Sequence, residues 1–210
     1  MTSLERKQGF LIVLSGPSGA GKNTVVNELG ERLDKIHYSV SVTTRPPGPG
    51  EVRGVHYNFV TQDEFQEMQE AGELLEWATV YGNSYGTPRR FIEETTAQGH
   101  DVILDIDIQG ARQVRTRWPA GIFVYLMPPS MGELWRRICA RGRDSEEDIS
   151  ARFKLAWDEL EAVFDYDYVV VNNNLDEAVD NLRAIITAER SKVARCDLSR
   201  FIGNLKGQSV

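Results

Sequence analysis

The stretch Leu11 to Gly30, LIVLSGPSGAGKNTVVNELG, restricts the fold of this chain more than any other. Phe10 to Leu14 form a short continuous apolar run that stops at Ser-Gly-Pro, the pattern of a strand buried on both faces of a parallel sheet. Val25, Val26, Leu29 and Leu33 follow at helical spacing. Strand, glycine-rich turn and helix make the start of a βα unit, whose helix N-terminus offers backbone N–H groups and a positive dipole end to an anion. Four residues separate Gly16 from Gly21, and Lys22 comes next. That is the spacing of a phosphate-binding loop, in which glycines admit phosphate oxygens close to the backbone and the lysine reaches the outer phosphates. An ordinary glycine-rich turn is the alternative. Gly16, Pro17, Ser18, Gly19, Ala20, Gly21, Lys22, Asn23 and Thr24 form the candidate phosphate site. Asn23 stands where the pattern asks for Ser or Thr, and Thr24 comes one residue late, turned away by about 100° on a helix. Asn23 still offers Oδ1, a hard neutral donor suited to Mg²⁺.

Three later apolar runs read as strands of the same sheet: Val102 to Ile108, Ile122 to Met127 and Tyr168 to Asn172. Tyr38 to Thr44 reads as a fifth. Helical patterns separate most of them, which predicts an α/β doubly wound parallel sheet. Between about Arg45 and Gly86 the character changes: proline and glycine are dense and aromatics alternate, as in a small lobe of mixed strands with one short helix. Thr61 and Glu64 have the spacing of a capping box and start that helix near Gln62. Ser130 with Glu133, and Ser145 with Asp148, start two charged helices, with Gly142 placed to end the first. A broken helical pair of this kind is able to act as a movable cover. The expected division is a core of 9–40, 88–130 and 160–195, a lobe of about 41–87 and a cover of about 131–159. The C-terminal ARCDLSRFIGNLKGQSV reads as a helix end followed by a frayed terminus.

Charge and composition narrow the function. The net charge of −7 disfavours nucleic acid as a partner, so any phosphate site must be a local basic cluster. No apolar run reaches the roughly 20 residues needed to cross a bilayer, and MTSLERKQGF carries no apolar signal core. Cys139 and Cys196 read as reduced thiols and His37, His56 and His100 are scattered, so the expected location is the cytoplasm. Asp105 and Asp107, two apart in VILDIDI, share a strand face, and Asp105 is the better placed for a metal or its water shell. Arg137 and Arg141 share a helix face, with Arg152 on the next helix, and guanidinium groups suit the charge of a transferring phosphoryl group.

The motifs GPSGAGK, SVSVTTRPPGPGEVRGVHYNFV, LLEWATVYGNSYGTP, VILDIDIQGARQV, RGRDSEEDISARF and VVVNNNLDEA, in this order, resemble the guanylate kinase family from Phe10 to about Arg190. The resemblance implies a P-loop fold with an inserted GMP-binding lobe and a helical lid. It implies phosphoryl transfer from ATP to GMP with Mg²⁺, and Asn23 and Asp105 are then the candidate metal residues. It gives Ser41, Arg45, Tyr57 and Tyr85 to the acceptor phosphate, and Glu76, Thr87 and Asp107 to the guanine edge. Glu51 supports the lobe, Arg137, Arg141 and Arg152 are lid arginines, and Asn172 lies near the adenine. Glu76 also stands out by itself: guanine offers N1–H and N2–H₂ donors, and a carboxylate in an apolar, aromatic segment needs a reason to be there.

The chain departs from the family pattern at three places. Asn23 is one, Gly48 stands where a second arginine is expected, and Asn172 to Asn174 stand where Asn-Asp-Asp is common. Arg53 and Arg90 are candidates to replace the missing cation at 48. Two other readings stay open: a guanylate-kinase-like binding module without catalysis, and a kinase for another nucleotide or a sugar phosphate. Monomer and homo-oligomer are both compatible with the sequence.

Overall fold

The computed structural model describes residues 6–80, 82–140 and 146–207. Its centre is a five-stranded parallel sheet in the order β2-β7-β1-β8-β9: Ile36–Tyr38, Asp101–Asp105, Leu11–Ser15, Ile122–Met127 and Tyr168–Val171. β1 is the middle strand and all five of its residues are buried. Its alternate side chains feed two cores. Ile12 and Leu14 pack with Val25, Val26 and Leu29 of α1 (Lys22–Arg32) and Val179, Leu182 and Ile186 of α7 (Leu175–Arg190). Leu11 and Val13 pack on the other face with Ile92 of α3 (Arg89–Ala97) and Ala111 and Val114 of α4 (Ile108–Arg117). Each buried side chain of this size stabilises the fold by about 1.5–3 kcal/mol relative to exposure.

A second, four-stranded sheet runs in the order β4-β3-β6-β5: Asn58–Phe59, Val42–Thr43, Asn83–Pro88 and Leu74–Val80. α2 (Gln62–Glu70) covers it through Phe65, which meets Val42 and Leu74. Its expected capping box is present: Thr61 accepts from the Glu64 amide, and Glu64 accepts from the Thr61 amide. α5 (Met131–Cys139) starts at the Ser130 cap, as its spacing predicts, and α6 (Glu146–Glu159) packs on it through Leu134, Ile138 and Ala156. Ser145, Gly142 and Arg141 lie outside the described residues.

Three expectations need correction. The run Tyr38 to Thr44 is not one strand. It ends β2 at Tyr38, leaves the main sheet after Ser39, and re-enters as β3 of the second sheet at Val42. Alternation marks both pieces as extended but carries no information about which sheet each joins. VILDIDI is not a strand to its end either. β7 stops at Asp105, and Asp107 is the N-cap of α4, its Oδ1 accepting the Gly110 amide at 2.7 Å. Asp105 and Asp107 therefore do not share a strand face. The C-terminal tail forms a helix of its own, α8 (Leu198–Gly207), where Asp197 accepts the Arg200 amide.

Candidate active site

The glycine-rich loop leaves the carboxyl end of β1, the end at which open α/β sheets bind ligands. Its shape depends on distant parts of the chain. Gly16 has φ +146° and lies so close to β8 that a Cβ would sit 2.2 Å from the Leu126 carbonyl oxygen. Gly21 has φ +96°, and a Cβ there would meet Asn172 Nδ2 at 2.5 Å. Asn172 is buried, with Nδ2 donating to the Ala20 carbonyl at 2.8 Å. Arg137 reaches the same loop from α5, donating to the Ala20 and Asn172 carbonyls at 3.3 and 3.0 Å while its Nε pairs with Glu133 at 2.7 Å. Bonds from Arg136 and then Arg137 hold the Glu133 carboxyl down at about 2. Lys22 Nζ donates to the Gly16 carbonyl at 2.8 Å and so lies folded over the loop.

In front of the loop is a cleft of about 330 Å³ between the two sheets. Ser18, Gly19 and Gly21 line it from the loop, Lys22 and Asn23 from the start of α1, Asp105 from the end of β7, Asp107 from the N-cap of α4, and Ser41, Tyr57, Glu76 and Tyr85 from the second sheet and the residues flanking its strands. Eleven candidate residues therefore meet in one cavity. Glu76 is 4% exposed, and its Oε1 accepts the hydroxyl of the buried Thr87. Burial raises its carboxyl to about 7, against the pull of Thr87. Tyr57 and Tyr85 pack edge to face at 5.9 Å. Arg45 lies behind them, 5.4 Å from the Tyr57 ring centre, and pairs with Glu51 at 2.7 Å.

Other candidates stand away from the cleft wall. Thr24 is exposed, Gly16 and Ala20 are buried beneath the loop, and Asn172 and Arg137 brace it. Arg152 is half-buried on α6. Arg90 pairs with Glu94 at 2.7 Å on an exposed face of α3, and neither it nor Arg53 lines the cleft. Sequence reasoning missed Tyr38, Ala78, Val80 and Ile106, which do. The two-residue period of β5 was the available signal for Ala78 and Val80, because they share the face of Glu76. Glu159, at the end of α6, was missed as well; burial raises it to about 7, with Lys22 and Asp107 close enough to act on it.

A phosphate loop facing a buried carboxylate across one cleft fits a nucleotide kinase, and relatives agree. The sequence model of the guanylate kinase family matches residues 8–189. The chain belongs to the guanylate kinase family. It is 53% identical over 192 residues to a guanylate kinase of Desulfitobacterium hafniense, covering 91% of this chain and 96% of that one. A guanylate kinase of Caldanaerobacter subterraneus is 50% identical over 190 residues, with 90% and 92% covered. The crystal structure of guanylate kinase from Anaplasma phagocytophilum superposes with a TM-score of 0.78 at 37% identity, covering 94% of this chain and 95% of that one. The fold is the α/β fold of P-loop kinases, and the chain is a nucleoside-monophosphate kinase.

Proposed function

We propose that the protein transfers the γ-phosphoryl group of ATP to GMP, giving ADP and GDP in purine nucleotide metabolism. The observation that carries this is the single cleft shared by Lys22 and Glu76. One end suits the phosphates of the donor, and the other a purine edge rich in N–H donors. Residues 41–87 form the GMP-binding lobe, α5 and α6 the lid, and the remainder the core. Ser41, Arg45, Tyr57 and Tyr85 take the GMP phosphate, with Glu51 holding Arg45. Glu76, Thr87 and Asp107 read the guanine. Asn172 and Arg137 act through the ATP loop that they brace. Arg152, and Arg141 beyond the described residues, bring positive charge when the lid closes.

GMP is largely a dianion at pH 7, since its second phosphate pKa lies near ~6. Its oxygen attacks the γ-phosphorus directly, the bond to the β–γ bridging oxygen breaks, and ADP leaves with the electron pair. No proton moves, so no general base is needed. The work of the protein is alignment, charge stabilisation by Lys22 and the arginines, and exclusion of water by the lid. Asn23 and Asp105 both line the cleft beside Lys22 and carry hard oxygen donors, so these two residues would hold Mg²⁺ beside the nucleotide phosphates. When bound, Mg²⁺ neutralises part of the phosphate charge.

The net charge of −7 supports small-molecule substrates over nucleic acid. Among the described residues no helix is long and apolar enough to cross a membrane, and Cys139 and Cys196 are both free thiols, which supports a cytoplasmic setting. Purified protein with ATP, Mg²⁺ and each nucleoside monophosphate in turn tests the reading by ADP release. Turnover with GMP, lost in Lys22→Ala, is the expected result. Turnover only with another acceptor, or with none, overturns it.

A further inference from the structure

Gly110, Gln113 and Arg117 recur at i, i+3 and i+7 on α4 and so share one helix face. That face grips the backbone of β5 on both sides of Glu76. Arg117 Nη1 donates to the Leu75 carbonyl at 2.7 Å, and its guanidinium lies 4.2 Å from the Trp77 ring centre. Gln113 Nε2 donates to the Trp77 carbonyl at 2.6 Å, while its Oε1 accepts the Trp77 amide at 3.4 Å. Between these two grips the Glu76 carboxylate rests on Gly110. A Cβ at Gly110 would lie 2.4 Å from Glu76 Oε2 and 3.1 Å from its Cδ. The same Cβ would be 3.3 Å from Asp107 Oδ1, the atom that accepts the Gly110 amide.

Glycine is the poorest residue short of proline inside a helix, and Gly110 has no positive φ to require it. Local preference asks for alanine at 110, and the packed carboxylate opposes it. Thr87 holds Oε1, Gly110 admits Oε2, and Gln113 with Arg117 fix the strand that carries both.

We propose that Gly110, Gln113 and Arg117 are positioning residues for acceptor specificity: they set the depth and angle at which Glu76 meets the purine edge. The inference rests on Glu76 as the guanine reader. Gly110→Ala moves the carboxylate by a sizeable fraction of an ångström. The KM for GMP then rises roughly tenfold or more, because a charge-assisted hydrogen bond is misaligned. The KM for ATP stays, and the preference for GMP over IMP, which lacks the 2-amino donor, narrows. Gln113→Ala shifts the same two readouts in the same direction by less.

The decisive measurement is a double-mutant cycle on GMP KM with Gly110→Ala and Glu76→Asp. The shorter acid withdraws from the new methyl group, so the pair is expected to cost several-fold less than the product of the single changes. Glu76→Ala with an unchanged GMP KM would sink the guanine-reader assignment itself. A large effect of Glu76→Ala, together with unchanged KM and GMP/IMP preference in Gly110→Ala, overturns the proposal alone. Strictly multiplicative costs in the cycle overturn it too. If Gly110→Ala does not fold, Gln113→Ala decides on the same two readouts, with an unchanged GMP/IMP preference counting against the proposal.

Discussion

The Arg45 guanidinium and the Glu51 carboxylate meet at 2.7 Å across a short loop, and the second carboxylate oxygen accepts the Gly48 amide at 2.6 Å. Both side chains are about a quarter exposed, 29% and 23%, so the pair contributes little to stability. Its effect is orientation: Arg45 is held beside Tyr57 and Tyr85 at the edge of the cleft. Hydrogen bonds to a charged group are worth roughly 1.5–3 kcal/mol. Arg45→Ala should therefore raise the KM for GMP about ten- to a hundredfold. Glu51→Gln, which keeps the shape but loosens Arg45, should do so by less. Equal ATP KM values in steady-state kinetics check that the effect is confined to the acceptor.

Acceptor binding should depend on pH through Glu76. Its carboxyl titrates at about 7 because burial disfavours the charge. Only the carboxylate accepts both guanine donors, so the KM for GMP should fall as pH rises from 6 to 8. The GMP phosphate titrates near ~6 and gives a second, lower step. Glu76→Gln should lose the step near 7 and keep the lower one. A KM profile measured for both proteins separates the two.

Asn23 lines the cleft one residue after Lys22 and is exposed. An amide is longer than a hydroxyl, so Asn23 as a metal ligand should hold Mg²⁺ more loosely than a serine there would. Asn23→Ser should lower the Mg²⁺ concentration that gives half-maximal activity. Titrating Mg²⁺ at fixed ATP and GMP reads this directly, and an equal or higher requirement marks Asn23 as a full substitute.

Asn172 ties the end of β9 to the loop through the Ala20 carbonyl. Asn172→Leu leaves that carbonyl to Arg137 alone and crowds Gly21, so the KM for ATP should rise by roughly tenfold, about the worth of one buried hydrogen bond. Nucleotide titration by fluorescence or calorimetry measures it, with GMP binding as the unchanged control.

Much of this was legible in the chain itself. Phe10 to Leu14 and Ile122 to Met127 read as buried strands because both faces of a parallel sheet demand apolar residues. The α2 cap was legible because Thr61 and Glu64 satisfy each other locally. Glu76 stood out because a carboxylate in apolar surroundings is costly. What stayed hidden is tertiary. Nothing local marks the break at Ser39, where the backbone bonds to Ile103 before the chain changes sheets. Asp107 lies in an apolar run, and its capping role depends on where α4 happens to start. The loop carbonyl of Ala20 that Arg137 and Asn172 share lies 117 and 152 residues from them, a separation that no local pattern reveals.

That separation has a consequence during synthesis. The loop is translated well before its supports: Gly16 rests on Leu126, and Ala20 waits for Arg137 and Asn172. At roughly 5–20 residues per second, between about 8 and 30 s pass from Lys22 to Asn172. Throughout that interval the ribosome-bound fragment has its glycines but not the full set of their braces. The loop's set of braces is thus complete only once Asn172, directly after the last strand of the sheet, has been made.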